Sequence, residues 1–103
     1  MDRITETFTL LKTADRKALI PYIMAGDPDL KTTAMLVQEL DRCGANIVEL
    51  GVPFSDPIAD GPTIQRAAQR ALSHGTSLRD IIDTVGLIRK NSNIPLILMT
   101  YYN

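Results

Sequence analysis

Three carboxylates, Glu49, Asp56 and Asp60, fall within the segment Val48–Gly61, which reads VELGVPFSDPIADG. It starts as an apolar strand carrying one acid, breaks at Gly51 and Pro53, and continues as a Pro-rich loop carrying the other two. An ionised group in an apolar strand is costly unless it is paired or used, because burial disfavours the charged form. The segment therefore has the make-up of an active site in which carboxylates do acid–base or hydrogen-bonding work.

Each of these residues also has a structural reading. Glu49 can be half of an ion pair with a buried Arg or Lys. Asp60 can cap the helix that Pro62 opens, and capping does not prevent substrate binding. Asp56, between Ser55 and Pro57, fits an Asx turn better than an acid. Asp27, followed by Pro28, reads as a helix N-cap. His74, the single histidine, precedes Gly75 at a helix end, which favours a dipole or capping role. Cys43 reads as a small buried group near a helix end. Neither G-x-G-x-x-G nor G-x-x-x-x-G-K-[ST] occurs, so there is no Gly-rich phosphate loop.

The elements that must hold these groups alternate between helix and strand. Ile4, Phe8 and Leu11 recur with helical spacing near the start. Ala18–Met24 is nearly all apolar, as in a strand covered on both faces. A helix runs from Pro28 to about Cys43 with Leu30, Ala34, Val37 and Leu40 on one face, and Gly44 fits its C-terminal end. Ile47–Val52 is a second strand. Pro62 opens a helix whose small stripe of Ile64, Ala67, Ala68, Ala71 and Leu72 suits close packing on a sheet. Ser77–Asp80 resembles a capping box ahead of a helix through Ile81, Ile82, Val85 and Ile88. Leu96 to about Tyr102 is a third strand. The order implies parallel strands joined by right-handed crossovers.

Composition excludes several classes. Lys and Arg total 11 against 12 Asp and Glu, so no bulk charge steers the chain to nucleic acid or membrane. No apolar run spans a bilayer, and the first residues lack the blocks of a signal peptide. A single cysteine precludes an intrachain disulfide or a cysteine-rich zinc site. These features read as a cytoplasmic protein. Within 103 residues there is one domain with no internal boundary. The third strand would be left as an apolar edge with no covering helix. The expectation is therefore an N-terminal part of a longer (β/α) protein, with self-association as the other way to cover the edge.

The chain resembles the tryptophan synthase alpha subunit from end to end. The resemblance rests on Pro21–Pro28 (PYIMAGDP), on Val48–Gln65, and on Pro95 through Met99-Thr100-Tyr101-Tyr102-Asn103. Tyr22 stands where Phe is usual, and Met24 where Thr is commoner. The implied fold is α/β, the first three or so parallel strands, with covering helices, of a TIM (β/α)8 barrel of roughly 250 residues. The implied reaction is the retro-aldol cleavage of indole-3-glycerol phosphate to indole and glyceraldehyde 3-phosphate, without metal or cofactor. Glu49 matches the general acid–base, and Asp60 the acceptor for the indole N–H. Ile47, Leu50 and Val52 give Glu49 an apolar setting suited to acid–base work, whereas Asp60 lies in a loop with solvent and backbone donors.

Placement within a barrel agrees, because catalytic groups there come from the C-terminal ends of strands and the loops that follow. Alternation puts Ile47, Glu49 and Gly51 on one face and Val48, Leu50 and Val52 on the other. The same parity turns Tyr22 inwards from the first strand, and Met99 and Tyr101 from the third, as an apolar wall for indole. Those three side chains are equally suited to a core. The resemblance also implies a beta-subunit partner in an α2β2 assembly, contacted near Pro53, Phe54, Asp56 and Pro57. It puts phosphate binding beyond Asn103. Three functions follow from this reading: part of a carbon–carbon lyase, inactive by itself; a fragment that docks on a beta subunit without catalysis; or a self-associating α/β fragment.

Overall fold

In the computed structural model, which describes residues 2–102, three strands lie side by side in chain order. Strands β1 (Tyr22–Met24), β2 (Val48–Gly51) and β3 (Leu96–Met99) are all parallel. Helix α1 (Arg3–Thr13) precedes them. Helix α2 (Leu30–Arg42) joins β1 to β2, and helices α3 (Pro62–Ser73) and α4 (Leu78–Ile88) join β2 to β3. Sequential order means every crossover turns the same way, which puts α2 and α4 on one face of the sheet.

Side-chain packing follows this topology. On one face Val48 and Leu50 meet Val37 of α2 and Ile88 of α4, with Ile23, Val85, Leu96 and Leu98 around them. Val37, Val48 and Ile88 are fully buried, each stabilising the fold by about 1.5–3 kcal/mol relative to exposure. The two helices start and stop where their termini are satisfied. Asp29 accepts the Thr32 N–H at 2.7 Å at the head of α2. Ser77 and Asp80 form a reciprocal capping box at the head of α4. Gly44 and Gly75 take φ of 104° and 71° just beyond α2 and α3, where a side chain would strain the backbone. His74 is the C-cap of α3, as its spacing predicts.

Several expectations are corrected. Asp27 does not cap α2; its carboxylate takes two hydrogen bonds from the Arg70 guanidinium, at 2.8 and 2.9 Å, and Asp29 caps instead. A charge-assisted bidentate pair competes well with a single capping bond. Asp60 does not cap α3 either, since the N-cap is Gly61 and has no side-chain bond. The first strand is shorter than Ala18–Met24. Asn46 meets Leu19 through its side-chain oxygen as well as its N–H, replacing a regular ladder there. Leu19 is 61% exposed, so both faces are not covered. In α1 only Leu11 is buried, while Ile4 and Phe8 are exposed. Cys43 is exposed as well, at the C-cap of α2 beside Glu39 and Arg42.

Helix α3 is the least foreseeable element. Its Ala67, Ala68 and Ala71 do pack closely, but on Met24 and Tyr22. Those residues belong to the face opposite α2 and α4. Helix α4 is thus the crossover layer for the second unit, and α3 lies across the C-terminal end of β1.

Candidate active site

The strand register fixes which side chains share a face. Tyr22 pairs with Glu49, and Glu49 with Ile97; one step further, Met24 pairs with Gly51, and Gly51 with Met99. In a parallel sheet paired residues project to the same side. Tyr22, Glu49, Met24 and Met99 therefore occupy the face away from α2 and α4, near the strand C-termini, as parity predicts.

Glu49 is half-buried between fully buried Val48 and Leu50. Among the described residues the ion pairs are Arg42–Glu39 and Arg70–Asp27, so the ion-pair reading of Glu49 does not hold there. Gly51 makes room for Tyr22. A Cβ added at Gly51 would lie 2.0 Å from the Tyr22 hydroxyl and 3.1 Å from Met24 Sδ. A glycine inside a strand signals such a close approach, and that signal was available in the sequence. The Tyr22 phenol is pushed above its ordinary pKa, first by burial, then by the negative charges of Asp60 and Glu49, and by Tyr101. One hydroxyl thus senses both carboxylates.

Asp60 is half-buried in the loop after β2 and is held through its backbone. Its carbonyl accepts from Gln65 Nε2 at 2.8 Å. On its other side, the N–H groups of Ile58 and Ala59 donate to the Tyr101 hydroxyl at 3.2 and 3.3 Å. The Tyr101 ring stacks on Phe54 with centroids 4.9 Å apart. Tyr22, Met24, Asp60, Met99 and Tyr101 line a depression of about 110 Å³. Small-molecule sites usually measure about 300–1,000 Å³, so this is one wall of a site.

The remaining candidates are less closely joined. Met99 borders the depression but is 53% exposed. Pro53 is buried, Phe54 and Pro57 are half-buried, and Asp56 is exposed. Asp56 accepts from the Ser55 hydroxyl at 3.0 Å in place of the backbone N–H of an Asx turn. Ile58, 88% exposed beside these residues, is an apolar surface group that the sequence reading did not single out. Gln65 was also missed. Its place one turn into α3, after Asp60-Gly61-Pro62, is the only local hint that it reaches back.

A larger depression of about 850 Å³ opens at the other end of the sheet. Among its lining residues, Asp41, Asn46, Arg89 and Ser92 are used by the chain itself. Arg89 donates to the Ile94 carbonyl at 2.6 Å, and the Ser92 hydroxyl donates to Asp41.

Residues 8–103 match the family model described as tryptophan synthase alpha chain. The chain belongs to the tryptophan synthase alpha chain family. The tryptophan synthase alpha chain of Geotalea daltonii is 54% identical over 103 residues, which is all of this chain and 39% of that one. The crystal structure of the alpha subunit from Legionella pneumophila superposes with a TM-score of 0.95 at 46% identity, covering 98% of this chain and 39% of that chain. A structure of the tryptophan synthase α2β2 complex from Pyrococcus furiosus gives 0.79 at 51% identity, over 84% and 34% of the two chains. The chain thus spans about two-fifths of the length of the curated relatives it matches. Within the tryptophan synthase alpha fold, its three parallel strands are N-terminal β/α units of the barrel. No helix of the described residues is long and apolar enough to cross a membrane.

Proposed function

We propose that the barrel to which these units belong cleaves indole-3-glycerol phosphate to indole and glyceraldehyde 3-phosphate. The observation that carries this reading is that Glu49, in register with Tyr22 on the face away from the covering helices, and Asp60, which lines one hollow with Tyr22, come from a strand and its following loop to the same side chain. Two carboxylates on one wall can divide the work. Glu49 protonates the ring carbon that bears the side chain and accepts the side-chain hydroxyl proton. Asp60 accepts a hydrogen bond from the ring N–H as positive charge develops there. The carbon–carbon bond then breaks, its electrons return to the ring, and the former carbinol leaves as an aldehyde. Tyr22, Met99 and Tyr101 supply apolar surface to the indole.

The 103 residues are taken as one continuous part of a barrel domain in a cytoplasmic enzyme. The partner in this reading is a beta subunit, met by Pro53, Phe54, Asp56 and Pro57. Exposed Asp56 and half-buried Pro57, next to exposed Ile58, support that surface. Indole release from indole-3-glycerol phosphate by a full-length family chain carrying these residues tests the lyase reading. A folded chain that releases none refutes it. A chain limited to these 103 residues should form no measurable indole, because rate depends on holding substrate against the catalytic groups. Turnover by that short chain, lost in Glu49→Gln, would contradict this.

A further inference from the structure

Asp60 sits in a loop, yet the peptides on both sides of it are tied to regular elements. Tyr101, just past β3, offers one hydroxyl oxygen to the N–H groups of Ile58 and Ala59. Gln65, in the first turns of α3, donates its side-chain amide to the Asp60 carbonyl at 2.8 Å. The Tyr101 ring is itself braced on Phe54, at the start of the same loop.

We propose that Tyr101 and Gln65 are a two-sided backbone clasp that positions Asp60, so that both are positioning residues for the reaction. This inference rests on the lyase reading for its kinetic consequence, but the clasp itself does not depend on it. The physical reason is entropic. A loop carboxylate aligned on a developing positive charge must lose its backbone freedom before the substrate arrives. Three hydrogen bonds to nearby peptides before and after Asp60 achieve that without occupying its carboxylate, which stays available to the ligand. A phenol suits the task because its oxygen accepts two bonds while its ring packs against the loop. As an apolar wall, by contrast, Tyr101 would have no use for its hydroxyl.

The test compares Tyr101→Phe and Gln65→Met in a full-length family chain carrying these residues. Both variants keep bulk and remove only the hydrogen-bonding group. Amide exchange at Ile58 and Ala59 should quicken at least about tenfold in Tyr101→Phe, while the Val52 N–H, bonded to Met99 O at 2.8 Å, keeps its protection. In each variant kcat for indole formation should fall about tenfold with KM nearly unchanged, since misplacement of a catalytic group acts on the rate. Unchanged exchange at Ile58 and Ala59 in Tyr101→Phe overturns the clasp, whatever the kinetics. A rise in KM at constant kcat also overturns it, because the lost polar group would then be contacting the substrate in place of the loop. If the parent chain forms no indole, the lyase reading fails, while exchange still decides the clasp.

Discussion

The two ends of the sheet carry similar chemical groups and use them differently. At the N-terminal end, around the larger depression, Arg89 is committed to the Ile94 carbonyl and Asp41 to Ser92. Those bonds hold the turn that leads into β3. At the C-terminal end Asp60 borders a far smaller hollow, with Glu49 in register beside its Tyr22 wall, and the loop around Asp60 is held by backbone bonds that leave its carboxylate alone. The larger cavity and the proposed site therefore lie at opposite ends. What separates a site from a joint is whether the ionisable groups remain available after the chain has satisfied its own backbone.

Four experiments can break or sharpen this contrast. In a full-length family chain, Glu49→Gln should lower kcat for indole formation on the order of a thousandfold, as expected for loss of a general acid–base. Its unfolding midpoint should stay close to that of the parent; a large stability loss with a small rate effect would reverse the assignment of this end. Gly51→Ala should push the Tyr22 ring off its seat, since the new Cβ would lie 2.0 Å from the hydroxyl. We expect kcat/KM to drop roughly tenfold, and stability to fall by about 1–3 kcal/mol. A crystal structure of that variant with Tyr22 unmoved would count against this geometry.

The opposite end should give the opposite pattern. Arg89→Met removes the bond to the Ile94 carbonyl and should cost about 1–3 kcal/mol in denaturant titrations, with kcat and KM unaltered. A kinetic effect without a stability loss would mean that this end is not merely structural. The smallest effect is expected at Asp27, on the loop after β1. The hydrogen bonds from Arg70 hold its carboxyl below the ordinary range. A depressed folded-state pKa means the pair stabilises above the unfolded pKa of about 3.9 and loses that contribution as pH falls through the lower folded value. Asp27→Asn should therefore be slightly less stable than the parent at pH 6, with the difference shrinking below about pH 4. An identical gap at every pH would show that the pair contributes nothing through ionisation.

Much of this site could be read from local pattern. Glu49 on the face opposite Val48 and Leu50 follows from strand alternation alone, and the packing of those two on α2 and α4 agrees with it. The capping box at Ser77 and the terminal glycines Gly44 and Gly75 were legible for the same reason: each is settled by neighbours within a few residues. The failures share the opposite property. Asp27 looked like a cap because its competitor, Arg70, is 43 residues away. Cys43 looked buried from its type, although the C-cap it occupies faces solvent.

The amino-acid sequence by itself determined the alternation of helices and strands, the inward face of each strand, and the acid-bearing segment that marks the family. All of these are encoded in spacing along the chain. Only the tertiary structure decided that α3 lies on Met24 while α4 covers the outer face, and that the Tyr22 hydroxyl rests over Gly51. It alone brought Tyr101 to the peptides before Asp60, 42 and 43 residues away in the chain. Periodicity says which way a side chain points. Which distant partner stands there depends on how the strands register and the helices stack, and no local pattern carries that information.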